Sequence, residues 1–175
     1  PCLAVDAACV STLDGPAAGS ELLKTAADTT GRRALGTLNN CSGGTTPWGT
    51  IVSGEENFNQ YFLCTGDERE ARYGLGPDGD ERGWRTVDPR FDATGSAYRN
   101  EPNRFGWVVE IDPENPRSTP VKHTAMGRFK HEGANITIDA ATGKAVAYMG
   151  DDERFDYLYK FVSKGTFDGS GTAAA

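Results

Sequence analysis

Polar and apolar residues alternate most cleanly over Asn135-Ile136-Thr137-Ile138-Asp139, the pattern of a strand with one buried face. Ala140-Ala141-Thr142-Gly143 supplies a hairpin turn, 144–150 returns, and Tyr157-Leu158-Tyr159-Lys160-Phe161-Val162 follows as a third strand. Three strands in such close order predict an antiparallel meander, the building block of a propeller blade. Upstream, Trp, Thr, Ile and Val predict a strand over 48–53, with Gly49 as its weak point. A stronger strand is predicted over 104–112, closed by Pro113 and Pro116, with a short partner at 120–125. The region 101–125 therefore reads as a second, less regular example of the same unit. No sequence repeat accompanies the spacing.

Two stretches break the pattern. Residues 1–36 are small and polar; Ser20 can cap a short helix over 20–24, and Asp28-Thr29-Thr30-Gly31 reads as a turn. Residues 65–103 are charged, rich in Gly and Asp, and poor in aliphatic side chains. Roughly 40 residues without a core stripe is long for a connection. This segment is expected to be a surface insertion over the mouth of a site.

Composition supports that picture. The 175 residues suffice for one domain, expected to span 1–175, and 22 of them are Gly. With 37% hydrophobic residues, short strands and tight turns are favoured over long helices. The formal net charge of -7 argues against a nucleic-acid-binding face, which needs clustered Lys and Arg. It suits a secreted or cation-binding protein. No apolar run is long enough to span a bilayer, and no signal peptide or initiator Met is visible within these residues. The chain reads as an internal fragment of something longer.

Four cysteines, Cys2, Cys9, Cys41 and Cys64, allow three full pairings, and the absence of CxxC argues against a zinc ribbon. Cys41 lies in Asn39-Asn40-Cys41-Ser42-Gly43-Gly44, expected to be a glycine-rich turn that leaves the thiol projecting. As a thiolate it suits iron, copper or zinc; a disulfide to Cys64 or a buried free thiol is the commoner role for a cysteine. Glu55 and Glu56 offer hard oxygen ligands, and on a strand they point to opposite faces, so at most one normally faces a given site. Glu132 sits in His131-Glu132-Gly133 between two predicted strands. Asp151, Asp152 and Glu153 form an acidic run behind a strand, whose mutual repulsion a divalent cation relieves. For each acid the plainer alternative is a solvated surface charge. With two His and no GxSxG element, neither a His-rich zinc site nor a serine triad has support.

These blocks, namely 35–44, Thr46-Pro47-Trp48-Gly49-Thr50, Gly54-Glu55-Glu56-Asn57-Phe58, 104–112, Arg128-Phe129-Lys130-His131-Glu132-Gly133-Ala134 and Gly150-Asp151-Asp152-Glu153-Arg154-Phe155, together resemble the PhoX family of bacterial alkaline phosphatases, in family order over about residues 16–163. The resemblance implies an all-β fold, here a partial β-propeller. It implies a phosphomonoesterase exported by the twin-arginine route to the periplasm or exterior. It also implies a ferric iron and calcium centre with a metal-activated oxo or hydroxo nucleophile. It assigns Cys41 and Glu132 as metal ligands and catalytic residues, and Glu56 and Asp151 as ligands, with Glu55 and Asp152 as their alternatives. Small phosphate esters are the implied partners of a monomer. The family's later Arg-Pro-Glu motif is absent from these residues, so the implied site is incomplete and the fragment alone is expected to be inactive. Two other functions compete: a calcium-stabilised propeller that binds a partner, which has no use for a free Cys41, and a lactonase-like hydrolase with calcium alone.

Overall fold

The computed structural model describes residues 9–169. Nine strands form two sheets. The larger contains β1 (Val10–Asp14), β2 (Arg33–Leu35), β3 (Asn40–Thr45), β4 (Ile51–Glu55), β5 (Val108–Ile111) and β6 (Val121–His123), in the order β2-β1-β6-β5-β4-β3. Its pairs are antiparallel except β1 with β6. The smaller is the antiparallel meander β7 (Asn135–Ile138), β8 (Ala145–Gly150), β9 (Leu158–Val162). Neither sheet closes on itself among the described residues.

The meander matches its sequence pattern because the alternation there reflects a real one-sided burial. Ile136, Ala147, Met149, Tyr159 and Phe161 pack against Val52 of β4 and Val108 of β5, together with Met126, Phe129 and Ala134. The 101–125 region differs from expectation: β5 and β6 do not make a second meander but extend the larger sheet between β4 and β1. β1, β2 and β3 were invisible in the pattern. Their residues are short, polar or Gly-rich, and each is held by pairing with neighbours rather than by intrinsic propensity. Ser20 does cap, but the turn it opens is a single 3-10 turn over Glu21–Leu23, with its hydroxyl accepting from Leu22 N at 3.3 Å.

The segment 65–103 has one short helix, α1 (Glu68–Ala71), and otherwise 3-10 turns and loops. It is not polar throughout its depth. Leu75, Phe91 and Ala93 join Leu38, Phe58, Phe62, Cys64 and Phe105 in a buried aromatic cluster. Each such Phe is worth about 1.5–3 kcal/mol when fully buried, enough to order a segment that has no aliphatic stripe. Carboxylates order the rest. Buried Glu70 accepts from Gly66 N at 2.7 Å and Asp67 N at 3.0 Å and pairs with Arg99, while Asp67 completes a capping box on α1. Arg90 Nη1 meets Glu101 Oε1 at 2.8 Å, both buried.

Candidate metal centre

Four side chains converge where the two sheets meet. Cys41 comes from β3, Glu56 from the first position after β4, Glu132 from the link before β7, and Asp152 from the loop after β8. Local geometry explains each. The β3–β4 register slips between Asn40↔Glu55 and Gly43↔Ser53, so β3 carries one extra residue across Cys41 and Ser42. A β-bulge of this kind re-aims a side chain, and Cys41 is exposed as a result. The expected turn is thus a bulged strand. Asn and Gly are depleted in strands and read as turn residues, but here backbone approach demands the glycine: a Cβ on Gly44 would sit 2.7 Å from Ala134 O.

The ligand-bearing segments are stitched by main-chain hydrogen bonds. Glu56 N donates to Asn39 O at 3.2 Å, His131 N to Glu55 O at 3.1 Å, Glu132 N to Gly150 O at 3.2 Å and Asp152 N to Lys130 O at 3.1 Å. Glu56, Glu132 and Asp152 each present a carboxylate oxygen, all within 4.8 Å of one another. The Cys41 thiol bonds Glu56. Burial and then the Asp152 carboxylate push the Glu56 carboxyl up. At Cys41 the Ser42 N–H favours the thiolate, but partial burial and the Glu56 and Glu132 charges outweigh it and raise the thiol. Cys41 and Glu56 therefore both resist ionising beside the neighbouring acids, the signature of anions collected without a counter-charge. A cation reverses that penalty. One soft thiolate beside three hard carboxylates suits iron on the sulfur side and calcium or ferric iron among the oxygens.

The neighbouring acids lie elsewhere. The Glu55 carboxylate is fully buried on the opposite side of β4, among five hydrogen-bond donors. Asp151 accepts from Glu153 N at 3.1 Å and lines a small recess with Arg72, Tyr73, Phe129, Lys130 and Glu153. Burial raises its carboxyl. His131 is buried, its ring tilted against Phe129 with centroids 3.6 Å apart and Nε2 3.0 Å from Gly127 O; burial depresses its pKa to about 4, so the ring is neutral. Cys41 and Cys64 are both free thiols, so the alternative disulfide between them does not form, whereas Cys9 is disulfide-bonded. Cys2 lies outside the described residues.

Sequence reasoning missed the residues that hold the Asp152 loop. Lys130 pairs with Glu153, and Arg72 of the 65–103 segment bonds Asp156 Oδ2 at 3.0 Å. Lys122 was missed as well; it is fully buried, 2.8 Å from Glu55 Oε1. No local signal marks such partners, because their separation in sequence is set by the fold. A cavity of about 400 Å³ lies apart from the four ligand candidates, between Leu22, Leu23, Tyr73, Arg99, Trp107 and Arg128.

A family model described as alkaline phosphatase PhoX matches residues 5–175. Among solved structures, Pseudomonas fluorescens PhoX in complex with vanadate, a transition state analogue, is 48% identical and superposes with a TM-score of 0.85 over 93% of this chain. The chain spans 28% of the length of that protein. No curated protein matches the chain.

Proposed function

The chain belongs to the alkaline phosphatase PhoX family, and on that premise we propose that it carries part of the metal centre of a secreted phosphomonoesterase. Cys41, Glu56, Glu132 and Asp152 are the proposed ligands, with ferric iron on Cys41 and calcium among the carboxylates. The observation that carries the reading is their convergence from four separate sequence blocks onto one spot at the sheet junction. Within each acidic pair, geometry favours Glu56 over Glu55 and Asp152 over Asp151.

Charge supports a metal there. A thiolate and three carboxylates would repel a phosphate dianion; cations must offset them before the substrate approaches. When bound, the metal ions would polarise the phosphoryl oxygens and activate water for attack. The chain's own residues hold the donors in position: the bulge aims Cys41, and the hydrogen bonds from His131, Glu132 and Asp152 fix the three approaching backbones. His131 is neutral and engaged with Gly127 O, so it is not available as a proton shuttle. The fold is proposed to be part of a β-propeller, supported by the meander and by the open sheet edges, and its location to be periplasmic or extracellular, supported by the family.

The test is metal analysis and phosphomonoesterase assay of the natively purified full-length protein that contains this chain. Iron and calcium are expected together, and Cys41→Ser is expected to lose iron and lower activity by at least about 100-fold. Calcium without iron would overturn the iron assignment and favour the lactonase-like alternative. Full activity in Cys41→Ser would overturn the role of that thiol.

A further inference from the structure

We propose that Glu55, adjacent to the ligand cluster but facing away from it, is the positioning residue that sets the register of the segments carrying Cys41, Glu56 and Glu132. This rests on the metal centre proposed above.

The Glu55 carboxylate is a five-fold acceptor. Oε1 takes Lys122 Nζ at 2.8 Å, Leu38 N at 3.1 Å and the Thr37 hydroxyl at 2.8 Å; Oε2 takes Gly106 N at 3.0 Å and Trp107 N at 3.2 Å. One side chain thereby pins the approach to β3, the approach to β5 and the middle of β6 to the end of β4. Its main chain extends the same hold. Glu55 pairs with Asn40, the residue before Cys41, and its carbonyl accepts from His131 N, the residue before Glu132. The residue after it is Glu56. Three of the four ligand candidates therefore lie one residue from Glu55 or from a group bonded to it.

A role in bulk stability accounts for this less well. Burying an ion pair costs desolvation of both charges, and apolar residues of equal volume often stabilise as much or more. What the charged acceptor supplies is direction: two main-chain N–H groups from the β5 side of β4, one N–H and a hydroxyl from the β3 side, and an ammonium are all held by a single rigid group. Lys122 is itself completed by Arg104 O at 3.0 Å and by the Phe105 ring at 4.0 Å, so the pair leaves no charge unmatched. Positioning shells of this kind typically control metal affinity by about 10–100-fold.

The experiment compares wild type, Glu55→Gln, Thr37→Val and Phe91→Leu as natively purified full-length proteins. Each is measured for bound iron and calcium, for the visible thiolate-to-iron absorption, and for its urea midpoint. Glu55→Gln puts an amide NH2 against existing donors; Thr37→Val removes one donor and serves if Glu55→Gln does not fold. Phe91→Leu loosens the aromatic cluster and controls for destabilisation alone. Both site variants are expected to shift the absorption and to lose metal at least about 10-fold faster to a chelator, while Phe91→Leu keeps the wild-type spectrum and loss rate. Unchanged spectra and metal retention in the site variants would overturn the positioning role and leave the metal centre standing. So would an equal change in Phe91→Leu. Wild type without bound metal would overturn the proposed function itself, and the positioning role with it.

Discussion

Gly54 lies where β4 passes beneath the His131 main chain, one residue before Glu55 and two before Glu56. A Cβ placed there would run into the His131 carbonyl oxygen, and its other near contacts are also His131 atoms. The absent side chain is what lets the Glu132 segment reach the end of β4. Gly54→Ala is expected to cost about 1–3 kcal/mol through forced displacement of a packed backbone, and to reduce bound metal. Exposed Gly165, with open space around its would-be Cβ, is the contrast: Gly165→Ala is expected to change stability by less than about 0.5 kcal/mol. Urea midpoints of the two variants check this, and equal losses would refute the close-approach account. At the same scale, only tertiary structure distinguishes Glu55 from Glu56. Strand alternation says that the two carboxylates diverge; which face holds the donors and which the acids depends on residues far along the chain.

At the scale of elements, the β3–β4 hairpin is tied to β5 and β6 through Glu110. Its Oε1 accepts from Trp48 Nε1 at 2.7 Å and from Thr50, and its Oε2 lies 2.6 Å from His123 Nε2. Burial would raise this carboxyl, but the hydrogen bonds from His123, Thr50 and Trp48 outweigh burial and hold it below its ordinary value of 4.5. A depressed carboxyl stabilises the fold above its unfolded pKa and loses that contribution as pH falls through the folded value. The Glu110 contribution is therefore expected to be complete at neutral pH and lost progressively below 4.5. Glu110→Gln is expected to cost about 1–3 kcal/mol at neutral pH and to flatten that part of the acid dependence. Urea midpoints against pH for both proteins read the difference; parallel curves would refute it. The meander was legible because its period-2 pattern matches a sheet buried on one face. β3 was not, because pairing and backbone clearance, rather than side-chain burial, decide it.

On the scale of the whole molecule, β9 is an edge strand whose outer side is uncovered among the described residues. Leu158 is 73% exposed, Val162 47% and Tyr157 71%, and Phe155, just before it, is 98% exposed. Exposed apolar edge strands pair or associate, and a proposed propeller blade would cover this side with its neighbour. Residues 1–175 produced by themselves are therefore expected to associate in a concentration-dependent way. Leu158→Lys with Val162→Lys is expected to suppress the association, as read by analytical ultracentrifugation. Unchanged association in the double variant would move the contact away from β9.

The sequence by itself determined that the chain is strand-built, that 135–162 forms a meander, and that a thiol and several paired acids stand at strand ends. These follow from local alternation and residue chemistry, which need no knowledge of distant contacts. The tertiary structure alone decided that β3 is a bulged strand aiming Cys41, that Glu56 and Asp152 rather than their neighbours meet Glu132, and that aromatics bury the 65–103 segment. Each of those depends on what approaches from elsewhere in the chain: a backbone against Gly44 and Gly54, five donors around Glu55, a Phe cluster under a polar loop. Propensity is a property of the residue, but facing is a property of the fold.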